Sequence, residues 1–238
     1  MPGDMAGQAV IAVGGYGARL GNVMGDGRPK SLIELYGRPI IYWTLRALCA
    51  AEVRRVLLVC DRVEFAASIE KVALSIAELF ESIDVIVDDG YGVHGIPVHI
   101  VDRLEPRFFL EAGNSLLPHL HYRRMSAVHK PGTWVMSSFA PRSDNPSRYP
   151  LAVPMESGAS RPRVAALPYL LERDYCVDIR DADFRVWRAI ARRLSEQRIM
   201  FVESPFAPEF DLPEELDDFQ DGARSIVRFY SGQTFEKE

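Results

Sequence analysis

The segment Gly14-Gly15-Tyr16-Gly17-Ala18-Arg19-Leu20-Gly21, set directly after an unbroken apolar run at 9–13, constrains the fold of this chain more than any other feature. A continuous apolar run without alternation reads as a strand buried on both faces, and such strands belong to parallel sheets covered by helices. Glycines at its end let the backbone turn sharply and aim successive N–H groups at one point, a nest for phosphate oxygens. Arg19 adds a planar, permanently charged fork, and Lys30 in Pro29-Lys30-Ser31 brings a second cation back toward the same place. The arrangement suits a triphosphate.

Two other glycine motifs fail on spacing. A dinucleotide fingerprint needs glycine where Leu20 stands after Gly15 and Gly17, and an acidic residue about 20 positions on, whereas Asp61 is much farther away. A P-loop needs glycine immediately before its lysine, and here Pro29 stands there, a residue with no N–H to donate.

The rest of the chain alternates. Pro39 with Ile41, Leu45 and Leu48 predicts a helix start and a buried stripe, and 55–60 a second buried strand. Ile69, Val72, Ala73, Ile76, Leu79 and Phe80 recur at helical spacing before a short strand at 84–87. Strands are further predicted at 98–101, 133–138 and 198–202, with helices over 114–125 and along Phe184, Trp187, Ile190, Ala191 and Leu194. This alternation predicts a Rossmann-like three-layer α/β sandwich with a mostly parallel central sheet. One domain over 1–238 is expected, its core at about 8–202, followed by an acidic extension at 203–238. A Pro-, Ser- and Arg-rich stretch at 140–163 reads as a long loop or small insertion where a substrate could be held.

Composition narrows the function classes. No apolar run approaches the ~20 residues of a membrane span, and 1–6 lacks the basic start of a signal peptide, so a cytoplasmic protein without membrane association is expected. A net charge of -5 argues against nucleic acid, whose backbone calls for clustered Lys and Arg. Cys49, Cys60 and Cys176 are far apart in apolar sequence and read as reduced core thiols. The run at 209–221, with seven acidic residues and no basic one, reads as a solvated flap or a homodimer contact. Arg185, Arg188, Arg192 and Arg193 read as the solvated side of their helix. His119 and His121 are two apart and on a helix do not share a face, which disfavours a metal pair.

Taken in order, Gly14-Gly15-Tyr16-Gly17-Ala18-Arg19-Leu20, Pro29-Lys30 and Gly37-Arg38-Pro39-Ile40 resemble the signature of the sugar-phosphate nucleotidyltransferases, an NTP transferase family. The resemblance is specific over about 8–60 and weaker to about 195. It implies an active site at the carboxyl ends of the strands, where a sugar phosphate or similar acceptor attacks the α-phosphorus of a nucleoside triphosphate and pyrophosphate leaves. Carried over residue by residue, Gly14, Gly15, Gly17 and Ala18 would contact the nucleotide, Arg19 would neutralise the leaving pyrophosphate, and Lys30 would stabilise charge near the α-phosphate. Phe109 to Leu116 resembles the family's Gly-Thr-Ala stretch against the base, with Gly113 allowing close approach and Asn114 reading the base or capping a helix. Mg²⁺ is the implied cofactor, with Asp178, in an expected short strand before a helix, as one ligand.

Two departures accompany the resemblance. Ala18 replaces the usual Thr or Ser, and after the strand at 133–136 no carboxylate appears until Asp144, which would have to reach back as the other metal ligand. The alternatives to a sugar-phosphate enzyme are a cytidylyltransferase for a non-sugar phosphate or phosphonate, and a non-catalytic nucleotide-binding homologue.

Overall fold

The computed structural model describes residues 5–15, 28–88, 92–140, 152–153, 163–206 and 216–231. In chain order these form β1 (Gln8–Ala12), a small hairpin of β2 (Glu34–Leu35) and β3 (Arg38–Pro39), α1 (Ile40–Ala50), β4 (Arg55–Cys60), α2 (Val63–Leu74), β5 (Ser82–Val87) and α3 (Gly92–His99). There follow β6 (Arg107–Ala112), α4 (His119–Val128), β7 (Trp134–Phe139), β8 (Ala152–Val153), β9 (Arg163–Glu172), α5 (Asp174–Asp181), α6 (Val186–Ser195), β10 (Ile199–Glu203) and α7 (Leu216–Ser231).

The main sheet runs β10-β7-β9-β6-β1-β4-β5, with β8 on β9. β1 pairs in parallel with β4 and β6, β4 with β5, and β10 with β7, while β9 lies antiparallel between β6 and β7. Every strand of this sheet but β9 therefore points one way, and the carboxyl ends of β1, β4, β5, β6, β7 and β10 share one edge. This is the α/β fold with a mostly parallel sheet that the alternation predicts.

Burial explains the layers. Ala9, Val10 and Ile11 are all fully buried because β1 is covered on both faces. On one face Ile11, Leu58 and Phe109 join Ile41, Leu45 and Leu48 of α1, Ile69 of α2, Tyr122 of α4 and Phe219, Ala223 and Val227 of α7. On the other, Val10, Leu57 and Leu110 meet Ile96 of α3, Tyr175 and Ile179 of α5 and Ile190 of α6. The hairpin turns on Tyr36 and Gly37, both at positive φ, the backbone of a two-residue turn matched to strand twist. Trp43 Nε1–H donates to the Leu35 carbonyl at 2.7 Å and ties the hairpin to α1.

Several expectations change. Residues 98–101 are not a strand: they close α3 and enter a helical turn. The strand that replaces them, β6, lies at the centre of the sheet beside β1. Residue 163 opens a ten-residue strand whose eight inner residues are all buried. Part of the acidic extension is α7, whose apolar side belongs to the main core and whose Tyr230 carbonyl accepts from Arg46 of α1. Cys60 and Cys176 are buried, Cys49 is half-buried, and all three are free thiols.

Candidate functional site

The site is built at the end of β1. Val13 N–H donates to the Val59 carbonyl at 2.8 Å, so the chain leaves β1 still registered on β4. Gly14 then passes so close to Asp61 that a Cβ there would strike the Asp61 carboxylate and come within 2.5 Å of its backbone nitrogen. Glycine is required here by space. Around Gly15, a Cβ would meet nothing within 4 Å, so this backbone faces open room.

Pro29-Lys30-Ser31 returns to the same place, as the sequence suggests. Lys30 N–H donates to the Gly15 carbonyl at 3.1 Å, and Ser31 Oγ–H donates to the Val13 carbonyl at 2.7 Å. A 3-10 turn over Lys30–Leu32 follows, with Ser31 buried at its centre. The lysine backbone is thus fastened to the glycine turn from both sides.

From the other flank, the end of β6 closes against β1. Gly113 N–H donates to the Ala12 carbonyl at 2.8 Å, and a Cβ on Gly113 would lie 2.8 Å from Ser31 Cβ and 3.0 Å from Val13 Cγ1. Gly14, Gly15, Lys30, Gly113 and Asn114 therefore share the carboxyl edge of β1 and β6. Asn114 stands in the turn after β6, before a stretch that reaches α4 at His119, so it caps no helix. Gly17, Ala18, Arg19 and Asp144 lie outside the described residues.

Asp178 is elsewhere. Its expected short strand is α5, which follows β9 and so starts at the amino edge of the sheet, where Glu172 pairs with Arg107. There its carboxylate accepts from Arg193 Nε–H at 2.5 Å and pairs with Arg192 as well. Arg193 also reaches Asp174 at 2.5 Å, and its guanidinium carbon sits 4.7 Å from the centre of the Trp134 ring. Burial opposes the Arg193 charge, but its hydrogen bonds to Asp174 and Asp178 outweigh that and raise its pKa above the ordinary value. The expectation of a solvated arginine face thus fails at Arg193, which is buried. Asp178 is a structural ion-pair partner at the edge opposite the glycines.

The strand expected to carry the other metal carboxylate, β7, is second from the edge, and its end is occupied internally. Ser137 Oγ lies 2.8 Å from His121 Nε2 and 3.1 Å from the Pro168 carbonyl. Arg163 donates to the carbonyl and hydroxyl of Ser138, each at 3.2 Å, and pairs with Glu203 at 2.6 Å. The central strand β6 carries Glu111 just inside the site, but this carboxylate is fully buried, accepting from Tyr122 O–H at 2.8 Å and from the Ala112 amide at 3.0 Å. Burial first, then Glu111, hold the Tyr122 hydroxyl well above its usual pKa, so it stays a donor. Among the described residues no group of three or more His, Cys, Asp or Glu side chains could hold a metal ion. The described residues do not fit a protein-built Mg²⁺ cage.

Sequence reasoning missed Asp61, which lies against Gly14, and the Arg163–Glu203 ion pair. A chain-wide signal for Asp61 exists: it directly follows the buried strand β4, as Gly14 follows β1.

Residues 9–94 match the profile of the MobA-like NTP transferase domain. The matched stretch runs from β1 through the segment with Gly14 and Gly15, Pro29-Lys30, the hairpin, β4 and β5 into α3. Solved structures show the same fold beyond the matched stretch. The inositol-1-phosphate CTP transferase from T. maritima superposes with a TM-score of 0.75 at 14% identity, over 94% of this chain and 98% of that one. A nucleotidyl transferase from Methanothermobacter superposes with a TM-score of 0.65 at 16% identity, over 95% and 100%. No curated protein sequence matches. Among the described residues no helix is long and apolar enough to cross a membrane.

Proposed function

We propose that this chain transfers an NMP group from a nucleoside triphosphate to a sugar phosphate or a similar small phosphorylated acceptor, releasing pyrophosphate. One observation carries the reading. Lys30 is fastened by its own amide to the Gly15 carbonyl, beside a glycine turn at the carboxyl edge of a mostly parallel sheet. A cation held next to side-chain-free backbone is what a triphosphate needs, and the carboxyl edge is where open α/β sheets bind ligands.

In this reading Gly14 and Gly15 let phosphate oxygens approach the backbone, with Gly17, Ala18 and Arg19 continuing the cradle. Lys30 stabilises negative charge that grows on the α-phosphate as the acceptor oxygen attacks and the bond to pyrophosphate breaks. Gly113 and Asn114 form the opposite lip, and Asp61 offers a carboxylate to N–H or O–H donors of the nucleoside. The acceptor is placed toward β7, β9 and β10, where Arg163 provides a guanidinium. Mg²⁺, with Asp144 as its protein ligand, is proposed to neutralise the phosphates when bound. A cytoplasmic enzyme with its core at about 8–202 completes the reading.

An acceptor that is a polyol phosphate, with CTP as donor, is favoured as the second reading by the likeness to the inositol-1-phosphate CTP transferase over nearly the whole of both chains. The test is pyrophosphate release from each common nucleoside triphosphate with sugar phosphates, inositol phosphate, cholinephosphate and phosphonates. Release that requires one nucleotide and one acceptor is the expected result. Tight nucleotide binding with no acceptor yielding pyrophosphate would replace the enzyme by a nucleotide-binding homologue.

A further inference from the structure

A basic cavity adjoins the turn that carries Lys30, with Leu32 of that turn and Arg28 just before it in its walls. Its volume is about 320 Å³, within the range of small-molecule pockets, and it opens between the β2–β3 hairpin, the start of α1 and the outer face of α2. Arg28, Arg38 and Lys71 line it against the single carboxylate of Glu34, an excess of two positive charges. Ser68 contributes a hydroxyl from α2. Gly14, Gly15, Lys30, Gly113 and Asn114 are not among its walls.

The positions of these cations are set by the fold. Arg38 is fixed in the hairpin opposite Leu35, and its guanidinium carbon sits 5.2 Å from the centre of the Tyr42 ring, which holds the fork over the cavity wall. Lys71 projects from the exposed side of α2, whose opposite side, at Ile69 and Ala73, is buried. Among the described residues neither Arg38 nor Lys71 forms an ion pair. Cations gathered in a concave site focus positive potential, and the Arg38 fork with the Lys71 ammonium matches the oxygens of a phosphate. The cavity is also larger than a bare phosphate requires, and Tyr42 supplies an apolar wall.

We propose that this cavity is a second ligand site that binds a small phosphate monoester, with the phosphate on Arg38 and Lys71 and the organic part against Tyr42. The proposal is independent of the transferase reading.

The experiment follows backbone amide NMR shifts of the full chain on titration with inorganic phosphate and, separately, phenyl phosphate. Saturable shifts at Arg38, Ser68 and Lys71 are expected in the wild type and in Lys30→Ala, with phenyl phosphate saturating at lower concentration. They should vanish in the Arg38→Ala/Lys71→Ala double variant, and in Ser68→Glu, which places a carboxylate in the cavity from an exposed helix position without touching the core. Absence of saturable shifts in the wild type, their persistence in both pocket variants, or their loss in Lys30→Ala would overturn the site. Equal saturation by the two probes would overturn the ester and leave the free ion as occupant.

Discussion

Gly113 and Ser31 press together so tightly that a methyl group on the glycine would lie 2.8 Å from the serine Cβ. Two segments far apart in sequence, the end of the central strand and the turn that carries Lys30, are thereby fixed against each other. Gly113→Ala would also crowd the Ala12 carbonyl at 3.1 Å, a backbone atom that cannot swing aside. The expected cost is about 1–3 kcal/mol of stability, together with loss of activity as Lys30 is displaced. Denaturant midpoints and initial rates on the same preparations check both. A variant with unchanged stability and rate would show that the lip is slack.

Asp178→Asn separates the two roles considered for that residue. The carboxylate is nearly buried against the buried Arg193, so removing its charge leaves a cation short of a partner and should destabilise the fold by ~1–3 kcal/mol. The folded variant should keep its activity and its Mg²⁺ dependence. A shifted Mg²⁺ dependence with unchanged stability would restore Asp178 as a metal ligand.

Acid should loosen the core at His121. Burial first, then Arg124, lower its pKa from 6.5 to about 4, so the folded chain holds the neutral ring against Ser137. The unfolded chain takes up a proton at higher pH than the folded one. This contribution to stability is therefore fully present above pH 6.5 and is lost as pH falls from there toward 4. His94, lowered to about 4 by burial, acts in the same window. The loss is ~3 kcal/mol per histidine at the acid end. Urea midpoints near neutral pH and near pH 4 should show a smaller drop for His121→Gln than for the wild type; equal drops would contradict the assignment.

The meeting of the glycine turn with Lys30 is legible in the sequence because its determinants are local. Glycines follow an unbroken apolar run, and a proline and a lysine return at a fixed spacing, so Gly14, Gly15 and Lys30 could be placed together before any coordinates. The central strand was not legible. β6 carries Glu111, and a carboxylate inside a doubly buried strand makes sense only with Tyr122 and the Ala112 amide as partners, which no local pattern reveals. The apolar run at 98–101 took its place in the sequence reading because a short apolar run is equally a buried helix end. With 98–101 counted as a strand, β7 looks like the middle strand, whereas it lies second from the edge of the sheet. Asp178 was misread for a related reason: its partners Arg192 and Arg193 lie one helix away, and a helical arginine row gives no sign of which member turns inward.

The most direct test of the account is the rate of pyrophosphate release by Lys30→Ala, measured with saturating nucleotide and acceptor beside a nucleotide-binding titration. The account predicts a fall of about 100-fold or more in rate with the nucleotide still bound and the melting temperature unchanged. A wild-type rate in the folded variant would contradict it, because the side chain of Lys30, whose amide is bonded to Gly15, would then have no part in the chemistry.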